Sequence, residues 1–317
     1  MFVVIGTTTA DLLVHRRSPS ADSGADGFRS ANVVFSETPV RMSLGGNGAI
    51  SAYVLAGLGA PVALCSAVGG DPFGRELLDW LTARAVDVTA VARYDGDATS
   101  TSVILFSDAA TQVVYHHVGA TAQIRLDDSA RRLLTDADVL LASSYPLMTG
   151  IRGAECARAL ASTHESGGIT ALDIGPAIGT PVRLREVASL LPHTDFLLGN
   201  THELCQLTGR SDWESAVADL RGVGARNLIV KRGHQGASIR GSSFTCDVPG
   251  FSVPANVSVG AGDAFNAGFL YGVHRGLPLE RAVRTANAVA ALLVSAERGV
   301  LDAPTWEQVE SALASAG

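Results

Sequence analysis

The stretch Val257-Ser258-Val259-Gly260-Ala261-Gly262-Asp263-Ala264-Phe265 is the one around which the chain is organised. A strand-like lead-in meets a small-residue turn, and a helical run follows through Asn266, Ala267, Gly268, Phe269 and Tyr271. Strand, glycine turn and helix start together make an anion cradle. The first amides of a helix have no partner inside it, and the helix dipole places partial positive charge there. Glycines let a phosphate come close to the backbone. A carboxylate in such a cradle orients a hydroxyl and takes its proton, while the cradle offsets the charge on a moving phosphoryl group. A plainer reading uses the same residues: Asp263 as an N-cap, with Gly260 and Gly262 as a turn. The stretch alone leaves both open.

Composition narrows the field. A chain of 317 residues holds one large α/β domain or two small ones, and 47 % hydrophobic content fills a globular core. The net charge of −7 and the lack of a basic block argue against a nucleic-acid partner. Of 24 basic residues, Lys231 is the only lysine, so there is no Walker A loop, and a protein-kinase strand lysine is equally hard to place. Cys65, Cys156, Cys205 and Cys246 form no CxxC and share no metal spacing with histidine, which reads as free thiols in a reducing compartment. The chain begins on a strand pattern with no signal peptide before it, and no apolar run reaches the roughly 18 residues of a membrane span. The expectation is a soluble cytoplasmic protein without a membrane partner.

Working outward, Val3 to Ile5 reads as a buried parallel strand, with Thr7 to Asp11 at its C-terminal end, where open α/β sheets bind ligands. Asp11 fits a substrate-hydroxyl ligand and a turn cap equally well. Ser18 to Gly27 reads as a loop, and Val33 to Phe35 and Val40 to Met42 as strand pieces of a small projecting sheet. Gly45-Gly46-Asn47-Gly48 opens a helix but lacks the third glycine of a dinucleotide fingerprint, since Ser51 stands there. Val62 to Val68 is a strand, and Gly69 to Gly74 turns into a helix over about Arg75 to Arg84. Thr101 to Phe106 and Gln112 to Val118 read as a hairpin completing the small sheet. His116 and His117, with no third ligand nearby, read as surface strand residues.

Beyond Asp127 strands and helices alternate. The strands are Asp138 to Ala142, Ile169 to Asp173, Asp195 to Leu198 and Asn227 to Lys231. The helices are Arg152 to His164, Val182 to Leu190, Thr201 to Leu207 and Trp213 to Val223. This argues a mostly parallel sheet covered on both faces. A glycine turn, Arg232 to Gly236, precedes short strands to Val248. An alanine-rich helix over Leu279 to Ser295 is expected to pack on Ala264, Ala267 and Gly268.

Laid out in this order, the chain resembles the ribokinase-like (PfkB) family of carbohydrate and nucleoside kinases over nearly its whole length. Gly45-Gly46-Asn47 with Gly69 to Gly74 looks like the family's first signature, and Gly260-Ala261-Gly262-Asp263 like the second. Asn200-Thr201-His202-Glu203 matches its Asn-x-x-Glu motif, and Arg232 to Gly236 its nucleotide-bordering turn. The resemblance implies a three-layer α/β fold with a small β-sheet lid. The main domain would comprise residues 1–12, 45–98 and 120–317, and the lid 13–44 and 99–119. It implies an ATP- and Mg²⁺-dependent kinase acting on a small sugar or nucleoside, and a possible homodimer through the lid.

The implied roles are specific. Asp263 would be the base, and the amides of Gly260, Ala261 and Gly262 the anion hole. Thr9, Asp11, Gly45, Gly46 and Asn47 would hold the substrate. Asn200 and Glu203 would act near the phosphates and Mg²⁺ through water, or else only cap a helix. Lys231, Gly233, Gly236 and Asn287 would line the nucleotide site.

Three departures from the family pattern matter. Val257-Ser258 stands where Asp-Thr is usual, which argues against activation by a monovalent cation. Ile50 and Thr9 stand where the family often has asparagine, which disfavours free ribose. A substrate with an apolar or aromatic part suits Ile50 and lid residues Phe35, Phe106 or Tyr115 better. Phosphotransfer to a sugar alcohol, preferably a primary CH₂OH, is therefore the expectation. A nucleoside kinase of the same family and a non-catalytic sugar or nucleotide sensor are the alternatives, and an oxidoreductase lacks its glycine fingerprint.

Overall fold

Phe2–Ile5 (β1) is apolar at every position because both its faces are covered: Phe2 and Val4 lie in one core, Val3 and Ile5 in the other. The same alternation recurs at Val139–Ala142, where Val139 and Leu141 join the first core and Leu140 and Ala142 the second. This is how a parallel sheet buried on both sides arises from continuous apolar runs. The computed structural model describes residues 1–15, 38–106, 113–176, 182–254 and 259–315. The loop expected at Ser18 to Gly27, the strand at Val33 to Phe35, the hairpin turn after Phe106 and the Val257-Ser258 pair lie outside the described residues.

After β1 come β2 (Thr9–His15), β3 (Arg41–Gly45), α1 (Asn47–Gly57), β4 (Val62–Gly69), α2 (Pro72–Ala83), β5 (Val86–Asp87), β6 (Val91–Tyr94), β7 (Ser100–Phe106) and β8 (Val113–His117). Next are α3 (Asp128–Thr135), β9 (Val139–Ala142), α4 (Ala154–Glu165), β10 (Ile169–Asp173), α5 (Leu184–Ala188), β11 (Phe196–Asn200), α6 (Thr201–Thr208) and α7 (Trp213–Gly222). The chain closes with β12 (Asn227–Lys231), β13 (Ala237–Gly241), β14 (Thr245–Val248), α8 (Ala261–His274), α9 (Leu279–Ser295) and α10 (Trp306–Ser315).

The main sheet runs β14-β13-β12-β11-β10-β9-β1-β4-β5, with β6 also on β4. It is parallel from β12 through β4, and β13 and β14 add an antiparallel edge. Helices α1, α2, α8, α9 and α10 bury one face, and α3 to α7 the other, giving three layers. Helix α8 packs closely on α9, as its small residues led us to expect. A Cβ on Gly268 would come within 3.0 Å of Ala286 Cα.

A separate sheet, β3-β2-β7-β8, stands beside this body. Its second strand, β2, takes up residues that the sequence placed only at the C-terminal end of β1. Thr9 to Leu13 pair with both β3 and β7, so the chain enters the small sheet at Thr9, before the boundary expected at residue 13. Asp71 ties this sheet to the body. It caps α2 by accepting from Gly74 N at 2.8 Å, and it accepts from Thr99 N at 2.8 Å and Thr99 Oγ1 at 2.6 Å, at the entrance to β7.

Candidate active site

Gly260, at φ 82°, is the N-cap of α8, and Asp263 sits one turn in, so Asp263 is not the cap. Ala264 N closes the first turn onto Gly260 O, which leaves the amides of Ala261, Gly262 and Asp263 without helical partners. The Asp263 carboxyl is buried and takes one hydrogen bond from Asn47 Nδ2 at 2.9 Å. Burial and the negative charge of Asp173 push its pKa up to about 7, against the pull of Asn47 and Lys231.

Asn47 is held at the start of α1 by the turn before it. Gly46 has φ 84°, and a Cβ there would lie 2.5 Å from Thr7 O, so only glycine fits. At Gly45 the neighbour is Asp11: a Cβ would stand 2.3 Å from its carboxyl. Asp11 is buried, and burial raises its pKa to about 6 against a hydrogen bond from Ser102.

Two cavities meet at the N-terminus of α8. One, of about 230 Å³, is lined by Thr9, Asp11, Gly46, Asn47, Gly260 and Asp263, with Ile50 and Val114 on an apolar side. The other, of about 270 Å³, is lined by Lys231, Gly233, Gly236, Ala261, Gly262 and Asn287, with Phe251 and Val294 among its apolar walls. Two larger grooves, about 700 and 610 Å³, touch neither Asp11 nor Asp263. Asn287 Nδ2 donates to Pro249 O at 3.0 Å, anchoring the loop after β14.

Lys231 ends β12, and its ammonium donates to Asp173 Oδ1 at 2.8 Å and Asn266 Oδ1 at 3.2 Å. Burial disfavours its charge, but Asp173, Glu203 and Asp263 outweigh that and raise its pKa. Asn200 and Glu203 form a reciprocal capping box on α6: Glu203 N donates to Asn200 Oδ1 at 2.9 Å, and Asn200 N to Glu203 Oε2 at 2.7 Å. Glu203 is nevertheless buried, with its pKa raised by desolvation against the nearby Lys231 charge. Neither Asn200 nor Glu203 is among the residues lining the two cavities. Among the described residues no three His, Cys, Asp or Glu side chains cluster as a ready-made metal site.

A family model described as "pfkB family carbohydrate kinase" matches residues 3–306. The chain belongs to this family. It is therefore a PfkB-type carbohydrate kinase, a phosphotransferase with a ribokinase-like fold. An ATP-dependent ribose-1-phosphate kinase from Halopiger xanaduensis is 31 % identical over 275 residues, covering 86 % of this chain and 87 % of its own. A nucleoside kinase from Methanothermobacter thermautotrophicus is 27 % identical, covering 93 % and 89 %. The structure of Arabidopsis thaliana ribokinase complexed with ribose and ATP matches with TM-score 0.81 at 22 % identity, covering 98 % of both chains.

Within the PfkB frame, Thr9, Asp11, Gly46 and Asn47 of the expected substrate residues line one cavity, with Gly45 behind Asp11, and Lys231, Gly233, Gly236 and Asn287 of the expected nucleotide residues line the other. Two aromatic expectations are corrected. Phe106 lines the 610 Å³ groove further along the small sheet, with Leu13 and Ser43, and Tyr115, 65 % exposed, is not among the residues lining the 230 Å³ cavity. Sequence reading missed Asp173 and Asn266, which fix Lys231, and Ser102 and His116, which line the first cavity. Asp173 carried a usable signal, since it closes a parallel strand at the ligand-binding edge. Gly45→Ala is expected to displace the Asp11 carboxyl and lower kcat/KM for the acceptor by roughly 10- to 100-fold, with KM for ATP unchanged in steady-state assays. An unaltered acceptor KM would contradict the placement of Asp11.

Proposed function

We propose that the chain is a Mg-ATP-dependent kinase that phosphorylates an alcohol, a primary CH₂OH, on a small sugar or sugar-bearing molecule. The observation that carries this is the position of the α8 N-terminus between two cavities. Asp263 faces the first, and the free amides of Ala261 and Gly262 border the second. The acceptor sits on Asp11, Thr9 and Asn47, and its hydroxyl meets Asp263. Asp263 takes the proton as the oxygen attacks. The amides at 260–262 and the Lys231 ammonium offset the charge on the phosphoryl group in transit. The nucleotide lies along Gly233, Gly236 and Asn287.

Mg²⁺ suits the remaining acidic group. Glu203 uses Oε2 in its capping box, and Oε1 has no hydrogen bond among the described residues. It would hold the ion through water, with Asn200 setting its orientation, and the ion would neutralise phosphate charge. The small sheet acts as a lid that excludes water from the first cavity.

A nucleoside acceptor is the second reading. The apolar side made by Ile50, Val114, Val118 and Leu147 suits a base better than open water. A panel of sugars, sugar phosphates and nucleosides with Mg-ATP, followed by phosphorylated product, tests both readings. No product from any member would leave the sensor alternative standing instead.

The lid edge supports a homodimer. Among the described residues strand β8 has no partner on one side in the sheet order, and Val113, Val114 and Tyr115 are 46, 51 and 65 % exposed. Sedimentation should show a dimer that Tyr115→Lys weakens; a wild-type monomer at high micromolar concentration would exclude it.

A further inference from the structure

The register of the small sheet sets Asp11 opposite Ser102, and Ser102 opposite His116. The three side chains therefore form one row across β2, β7 and β8, and all three line the acceptor-side cavity. The next row repeats the polar pattern, with Thr9 Oγ1 2.9 Å from Ser100 Oγ. Ser102 hydrogen-bonds Asp11 and also lies 3.2 Å from His116 Nδ1 through its Oγ.

The proton positions follow from chemistry. An ionised carboxylate only accepts, and a serine has one proton to give. With Ser102 donating to Asp11, Ser102 Oγ must accept from His116, so Nδ1 carries the imidazole proton. Nε2 is then an unprotonated acceptor, with no hydrogen bond among the described residues.

We propose that His116 is an acceptor-binding residue, whose Nε2 accepts a hydrogen bond from a hydroxyl on the lid side of the acceptor. Ser102 and Asp11 act as positioning residues that fix its tautomer. The inference rests on the reading of this cavity as the acceptor site.

It has a consequence for substrate class. A lone pair at Nε2 welcomes a hydroxyl and repels a phosphate oxygen, so the neutral ring selects an uncharged polyol at that spot. Protonated, the same ring would donate and accept a phosphate instead. The charged or titratable groups facing it are Asp11 on β2, Asp263 across the cavity and His117 beside it on β8. Burial and His117 both lower the His116 pKa, which keeps the ring neutral.

The test uses the full chain labelled with ¹⁵N-histidine, with D-ribose, inosine and ribose 1-phosphate as probes. At pH 7.5, without probe, the His116 signals should show Nδ1–H and a bare Nε2. Ser102→Ala should mix the tautomers. Adding ribose or inosine should move the Nε2 resonance; ribose 1-phosphate should move it less. With Mg-ATP, His116→Ala should raise KM for the neutral acceptor about 3- to 10-fold. In the same assays kcat and KM for ATP should hold, and His116→Gln should recover most of the loss.

An Nε2–H tautomer, or a resonance unmoved by every probe, would overturn the proposal. Product formed while His116 stays silent would overturn the histidine role alone. A moved resonance with no product would overturn the kinase reading alone.

Discussion

Asp263→Asn is expected to lower kcat by about 10²- to 10⁴-fold, the usual contribution of a positioned base, while Mg-ATP still binds. The substitution keeps an oxygen for Asn47 Nδ2, so the local geometry survives. In the wild-type protein the base must be ionised, and its pKa lies at about 7. The rate with a neutral acceptor should therefore climb with pH up to about 7 and then level off.

Stability should run the other way. A carboxyl whose folded pKa is raised favours folding most when protonated, below its unfolded value near 3.8. That advantage is lost as pH rises through about 7. The asparagine variant escapes the loss and should be more stable by about 1–3 kcal/mol at pH 8, the gap closing below pH ~4. Calorimetry across that range, alongside turnover, reads both trends. Near-normal turnover in the variant would end the assignment of the base.

Lys231→Met carries the second large effect. The ammonium is the partner of buried Asp173 and sits within electrostatic reach of Glu203 and Asp263. Removing one member of a buried pair costs about 3–5 kcal/mol because the other charge stays uncompensated. The loss should be greatest at pH 8 and shrink towards pH ~5.5, where Asp263 and Glu203, both with raised pKa values, take up protons. Lys231 itself stays charged over that span, since its pKa is raised above 10.5, so it adds no slope of its own. Activity should move in the opposite sense. Without the cation Asp263 is harder to ionise, so kcat at pH 7 should fall about 10- to 100-fold and recover partly as pH rises. Denaturant melts and rates at matched pH values decide this; a variant equally stable at acid and alkaline pH would refute the buried-charge account.

The strands of the main sheet were legible because both faces of each are apolar, so hydrophobic runs alone located β1, β4 and β9 to β12. The same habit hid β2. There the buried positions facing the site are Thr9 and Asp11, so no apolar run marked the strand. Helix α3 was not foreseen, since only Ala130 and Leu134 of its residues are buried. The helix expected over Val182 to Leu190 is shorter, Leu184–Ala188, and a 3₁₀ turn containing Pro192 follows.

The glycine turns and Asp263 could be read locally because each is a contiguous motif. The Asp173–Lys231 pair could not. Its members end strands β10 and β12, and only the sheet order brings them under the start of α8. His116 was read as a surface strand residue because no third metal ligand stood near it; its cavity side appears only once Ser102 is set opposite.

Lysine occurs once in this chain, while arginine takes every other basic position. Apart from the α-amino group at Met1, a reagent that acylates amines therefore has a single chemical address, and that address is the wall of the 270 Å³ cavity at the start of α8. Its ammonium is clasped by Asp173, so a tag added there would report on how firmly that clasp is closed, without any need to engineer a reporter into the protein.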